Sequence, residues 1–331
     1  MTSGQILFLP TGIRLIFVEA DVSYILTNSK TMRLILIGIF ISIAYTNVHA
    51  QIFFKTEYFG SSRYRMSEGD SSQNIGNSKG SAVIYQGGIN IPLSLKMNDK
   101  NRPTMWSISA GGAYAKLNNK NFTEPLVIDE ILNLGISLNY LRPLNDRWSL
   151  KAGIGGGIFM PTTDLSQIRY KNILASASAV FIRHLRPNLD LGFGLALNNS
   201  FGFPMVFPAF YLNWTTSGRL DVEISLKDGL EMSAGYKVNE HLALSFVTEI
   251  NGQMALLEQD GKDKIFTHQT IVAGFRPEIK LGKRISIPIT VGMNMMRTAQ
   301  ISDRSLKNIF QDKEYYFRLS PYGSVGLQIG F

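Results

Sequence analysis

Residues 320–331 read SPYGSVGLQIGF. Val325, Leu327, Ile329 and Phe331 share one face of a period-2 pattern, while Ser324, Gly326, Gln328 and Gly330 share the other. Soluble domains commonly trail off in a few polar, disordered residues. Here the sequence given closes on an apolar strand face and an aromatic ring. The stretch predicts the last strand of a transmembrane β-barrel, with Phe331 turned to lipid.

The same alternation runs through the sequence before it. In DLGFGLAL, Leu191, Phe193, Leu195 and Leu197 oppose Asp190, Gly192, Gly194 and Ala196. In WSLKAGIGGGIFM, Trp148, Leu150, Ala152, Ile154, Ile158 and Met160 oppose Ser149, Lys151, Gly153, Gly155 and Gly157. One face is large and apolar; the other is small, glycine-rich or charged. A soluble sandwich also alternates, but many runs here outlast the usual globular strand and are long enough to cross a bilayer when tilted. We expect an all-β, antiparallel up-and-down barrel of about fourteen strands (12–16), without a plug domain, over residues 51–331. The strands fall near 51–59, 82–96, 103–117, 128–141, 147–160, 170–183, 189–200, 207–216, 219–226, 230–238, 242–251, 266–281, 284–298 and 314–331. Short connections such as 142–147, 186–188, 217–218, 239–241 and 282–283 alternate with longer ones at 60–81, 118–127, 161–169, 252–265 and 299–313. Only 227–229 is short where a long loop is due. Tight turns on one rim and long loops on the other, with both termini on the periplasmic side, are the habit of bacterial outer-membrane barrels. The 60–81 loop is polar and expected to be mobile; 201–208 (FGFPMVFP) is expected to pack at the mouth or touch lipid.

The aromatics give an independent reading. Trp106, Trp148 and Trp214 each adjoin a short turn on the apolar face, joined by Tyr140, while Tyr85 and Tyr114 lie on that face near the other rim. Amphipathic rings at two levels form an aromatic girdle. The final strand, with its terminal aromatic, resembles the signal read by the outer-membrane barrel-assembly machinery, which implies that machinery as a partner during biogenesis. From QIFFKTEYF at residue 51 onward the chain resembles the uncharacterised outer-membrane barrel families common in Bacteroidota. That resemblance implies a Gram-negative outer membrane and brings no assigned activity.

Composition fits. The 331 residues are 45% apolar, with 30 Gly, 20 Phe, 13 Tyr and no Cys, and the mean hydropathy of +0.04 excludes a polytopic helical membrane protein. The net charge of +8 is scattered along the chain, which argues against nucleic acid as a partner. MRLILIGIFISIAYTNVHA, residues 32–50, has the basic start, apolar run and Val48-His49-Ala50 end of a secretory signal peptide. Cleavage is expected between Ala50 and Gln51, and residues 1–31 read as an extension from a start assigned too early.

Little catalytic chemistry is legible. His184 and His241 adjoin periplasmic turns; His268, with Thr270 two residues on, is the one pair able to supply a base and a hydroxyl. No metal-ligand cluster or phosphate-binding loop stands out, so no enzyme activity and no cofactor is expected. Lys151, Asp190, Asp221, Glu223, Glu231, Lys237, Glu249, Arg276, Glu278 and Arg318 all project to the lumen if the register holds. Their mixed signs suit paired, hydrated networks. The expected function is a passive channel or small-solute transporter in contact with outer-membrane lipid. The alternative is an occluded structural or surface-interaction barrel, and a barrel lipase or deacylase comes last.

Overall fold

The computed structural model describes residues 50–330, apart from 69–70, 101, 124, 217, 227–229 and 306–312. The expected leader (save Ala50), the 1–31 extension, the 227–229 turn and Phe331 lie outside the described residues.

Alternating apolar and small residues can satisfy their backbone only by pairing on both sides, and in a bilayer that demands closure. The chain does this with β1 (Gln51–Glu68), β2 (Ser71–Met97), β3 (Pro103–Lys120), β4 (Glu130–Pro143), β5 (Trp148–Met160), β6 (Ile173–Arg186) and β7 (Leu189–Asn198). There follow β8 (Met205–Thr215), β9 (Leu220–Leu226), β10 (Leu230–Lys237), β11 (Leu242–Gln259), β12 (Lys262–Leu281), β13 (Ile285–Asp303), β14 (Lys313–Phe317) and β15 (Ser320–Gly330). Each strand from β1 to β13 pairs antiparallel with the next. β14 and β15 are two segments of one span, since both lie between β13 and β1. The wall is therefore a closed barrel of fourteen passes, sealed where Gln51 pairs with Gly330 and Tyr64 with Phe317.

The outward face carries a belt that water would not tolerate. Phe54, Ile136, Phe193, Phe210, Phe246, Phe275 and Val291 are each at least half exposed, and they come from seven different strands. A continuous apolar band of this extent has a lipid as its solvent. Inward positions are small where strands crowd: a Cβ on Gly155 would stand 2.8 Å from the Ile136 carbonyl oxygen.

The wall is uneven in height. β7–β10 are short, whereas β1–β3 and β11–β13 run far past the belt on the side opposite Gln51 and Gly330, taken below as the outer side. Two stretches expected as loops are strands here. Residues 60–68 and 71–81 belong to β1 and β2, which pair from Ser62↔Gly80 to Glu68↔Ser71 with breaks in register between. Residues 252–259 and 262–265 are paired, from Gly252↔Gln269 to Gln259↔Lys262. Their two-residue turn, Asp260-Gly261, takes positive φ of 52° and 71°, as a tight hairpin turn with a right-handed twist requires. Residues 205–208 already belong to β8, with Phe207 packed against Phe201 and Phe203 left exposed.

Candidate functional site: a barrel interior closed at its outer end

The middle of the interior holds a charge network. Lys55 on β1 lies 2.9 Å from Glu57 and 2.7 Å from Glu249 on β11. Arg276 on β12 pairs with Glu249, with Glu231 on β10 at 2.9 Å, and donates from Nε to Thr290 Oγ1 at 3.0 Å. Glu57 also accepts from Tyr322 Oη at 2.6 Å and Gln86 Nε2 at 3.0 Å. The Lys55–Glu249 contact joins strands separated on the wall by β12, β13 and β15, so both side chains lie inside the barrel. Each carboxylate has a cation, which is how buried charge becomes tolerable.

Other inward candidates sit lower. Lys151 stacks over the Tyr211 ring at 5.6 Å, reaching from β5 to β8. Asp221 and Lys237 pair at 2.8 Å and are largely solvated, Glu223 is half-buried beside them, and Glu278 lies 3.7 Å from Lys280. Asp190 Oδ1 accepts from His184 Nδ1 at 2.7 Å, and His184 Nε2 meets Ser149 Oγ at 2.8 Å. This relay ties β5, β6 and β7 at the end that carries the short turns, but Ser149 is only 5% exposed. Arg318 is a correction. It is exposed, with Leu319, in the two-residue break between β14 and β15, while Phe317 and Ser320 on either side are both buried, so the period of 2 is broken at this point. Strict alternation cannot foresee such a break. His268 is fully buried and bonded to Gln253 at 3.1 Å rather than to Thr270, whose hydroxyl faces the Asn251 carbonyl.

Above the network the interior is filled. Phe59, Ile84, Leu117, Ile131, Ala255, Phe266, Phe317 and Tyr322 form one buried cluster reaching from β1 through β4 to β11 and β15. The closure is made by the β11–β12 hairpin. An outer wall strand should have one exposed face, yet Ala255 and Leu256 on β11, and Ile265 and Phe266 on β12, are all buried. One face joins the cluster just described; the other, Leu256 and Ile265, packs on Phe159 of β5 and Leu174 of β6. Polar clamps complete the docking on the opposite wall. Asn133 of β4 donates to Met254 O at 2.6 Å and accepts from Met254 N at 3.3 Å, and Asn172 donates to Leu256 O at 2.7 Å.

Outside, ion pairs hold the tip. Lys171 donates to Asp263 at 2.8 Å and Glu258 at 3.2 Å, and Arg169 lies 3.8 Å from Glu258. The bond to Asp263, then that to Glu258, holds the Lys171 ammonium above the usual lysine range. Lys264 reaches Asp303 at 2.5 Å, which holds that carboxyl below its ordinary value. Arg304 donates to the carbonyls of Lys171, Asn199 and Ser200.

The aromatic residues occupy the outward face. Trp106 stacks on Tyr140 with ring centroids 4.4 Å apart, Arg183 lies over Trp148 at 5.7 Å, Trp214 is half-buried, and Tyr85 stacks on Tyr114 at 6.3 Å. Sequence reasoning missed the clamp residues Asn133 and Asn172, and Lys55 with Glu57. The last two share the inward face of QIFFKTEYF and were open to the alternation argument. The Asp260-Gly261 pair was the available signal for the hairpin.

A family model described as a domain of unknown function (DUF6268) matches residues 46–330. No match was found among curated proteins. Among solved structures, the translocator domain of the autotransporter NalP from Neisseria meningitidis is 12% identical, with a TM-score of 0.34, covering 96% of this chain and 100% of that one. An outer membrane channel from Pseudomonas putida F1 is 9% identical, TM-score 0.39, covering 86% and 97%. The outer membrane protease OmpT from Escherichia coli is 9% identical, TM-score 0.27, covering 85% and 97%. Likeness at this level speaks to no shared activity.

Proposed function

The chain belongs to the DUF6268 family, whose function is unknown, and from that premise we propose that it is an exported outer-membrane barrel shut at its outer mouth by its own wall. It is not a standing pore. The observation that carries this reading is the burial of both faces of the β11–β12 hairpin at Ala255–Leu256 and Ile265–Phe266. A side chain exposed to an aqueous lumen would not lose all its accessible surface. The barrel's partners on this reading are outer-membrane lipid along the belt and the assembly machinery at the final strand, and it carries no catalysis of its own. The test is single-channel recording of the purified residue 51–331 barrel in a planar bilayer. A folded barrel that gives no conductance steps supports the reading, and steady salt-dependent steps overturn it.

One observation favours a second reading, a gated conduit for small solutes. The seal across the mouth rests on two asparagine side chains, an apolar contact and exposed ion pairs, not on a strand ladder. Exposed pairs contribute little individually, so this closure is weaker than the wall. On this reading, shortening the hairpin between Gln253 and Phe266 produces steps in an otherwise silent barrel.

A further inference from the structure

Seven buried side-chain polar atoms lack a hydrogen-bond partner among the described residues. Five of them belong to four residues of β1, β12 and β13: Ser62 Oγ, His268 Nε2, Asn294 Oδ1, and Nε and Nη1 of Arg297. Such clustering in the outer interior is not scatter.

Arg297 is the anomaly. Its residue is 0% exposed, and its guanidinium makes one protein hydrogen bond, from Nη2 to the Gly80 carbonyl at 2.7 Å. It lies 3.9 Å from the centroid of the Phe317 ring. The register sets Thr270, Arg297, Phe317 and Tyr64 in one row across four strands, with Ser62 opposite Gly80. His268 lies two residues along β12 from Thr270, on the same face of the strand, and both are buried. The other buried cations each meet carboxylates: Lys55 has Glu57 and Glu249, and Arg276 has Glu231 and Glu249. Arg304 fills its donors with three carbonyls. Arg297 has neither. A guanidinium stays protonated in any protein setting, and an isolated buried charge is costly until it is paired. A ring face offsets part of that cost and leaves the Nε and Nη1 donors unanswered.

We propose that the interior between β1, β12 and β13 is a binding site for a small anion, held by Arg297 beneath the closed hairpin. The ligand accepts from Nε or Nη1. Its size is limited by the packed rings of Phe317 and Phe59, the latter 6.4 Å from His268 between centroids, so a halide or formate-sized ion fits the chemistry and a nucleotide or sugar acid does not. The site lies outside the periplasmic charges and does not depend on whether the barrel conducts.

Bromide is the probe, supplied while the barrel refolds so that the closed mouth does not bar its entry. Anomalous diffraction from crystals grown in bromide is expected to place a peak within hydrogen-bonding distance of Arg297 Nε or Nη1. In a gluconate background, bromide or formate is expected to raise the thermal midpoint of the wild-type barrel saturably. Arg297→Gln, which keeps an amide donor and removes the charge, is expected to weaken that response at least about tenfold. Water alone at the guanidinium in the bromide crystals overturns the proposal, even if Arg297→Gln fails to fold. So does a midpoint shift of equal size in both proteins, which is a general salt effect. Conductance recordings read the closure separately, so neither failure masks the other.

Discussion

Glu249 is the inward carboxylate whose neighbours depend on it most, since it is shared by Lys55 and Arg276 and its side chain is 7% exposed. Glu249→Gln would remove the one carboxylate shared by both cations, leaving Lys55 with Glu57 alone and Arg276 with Glu231 alone. We expect a loss of about 3 kcal/mol in barrel stability, the scale seen when one member of a buried pair is removed. The matching change at Asp221→Asn removes a pair whose side chains are 46% and 42% exposed, and it is expected to cost less than about 1 kcal/mol. Urea unfolding of the refolded barrels measures both, and equal losses would show that the network is as solvated as the surface pair. Ser149, His184 and Asp190 have the bond pattern of a hydrolase relay. With Ser149 only 5% exposed, a fluorophosphonate probe is expected to leave it unlabelled in the folded barrel. Stoichiometric labelling at Ser149, abolished by His184→Ala, would make the relay catalytic.

At the scale of elements, the strands were legible because period-2 alternation is what a wall between lipid and lumen imposes on every residue. The span limits were not, for a physical reason. Past the belt, the outward face of β1–β3 and β11–β13 meets water and loses its apolar signature, so 60–81 and 252–265 read as loops although Ser62–Glu68 still faces Ser71–Gly80 and Gly252–Gln259 still pairs with Lys262–Gln269. The closing hairpin is harder still to read. Its second buried face, Leu256 and Ile265, breaks alternation, because these residues answer to Phe159 and Leu174 across the barrel rather than to their neighbours in sequence. Asn133 and Asn172 stand in no sequence motif, yet they hold that hairpin. The double variant Asn133→Ala, Asn172→Ala is expected to leave the barrel folded, to speed amide exchange at Met254 and Leu256 by about tenfold or more, and, on the gated reading, to yield brief conductance steps. Unchanged exchange would place the closure in the apolar contact alone. The outer ion pairs add a pH dependence. Lys171 titrates above its ordinary 10.5, so its contribution is full below that value and fades as pH rises through the folded one. Asp303 titrates below 3.8, so its contribution is full above that value and fades as pH falls through the folded one. Met254 exchange, corrected for intrinsic rate, is therefore expected to be flat between about pH 5 and 9 and to rise only beyond either limit.

For the whole molecule, the uneven wall fixes an orientation that can be tested without a ligand. An even number of passes returns the chain to the side where it entered, and the short turns at 144–147 and 282–284 lie on that side with Gln51 and Gly330. Turns there are kept tight by local bonds, as where Asn145 Oδ1 accepts from the backbone N–H of Arg147 and Trp148. The tall hairpins, tipped at Asp260-Gly261 and near Glu68–Ser71, rise from the other side. If that side is the cell exterior, the closure faces the environment and the charged, glycine-rich interior opens to the periplasm. The absence of cysteine from the sequence makes each introduced thiol the sole target of a maleimide. Asp260→Cys and Asn74→Cys, both at exposed positions of the outer hairpins, are expected to react with a membrane-impermeant maleimide on intact cells. Asp146→Cys and Glu240→Cys, exposed at the short turns, are expected to react only after the outer membrane is permeabilised. The reverse pattern would invert the barrel and turn the sealed mouth inward, in which case a closure facing the periplasm, not the medium, would be the feature needing a partner.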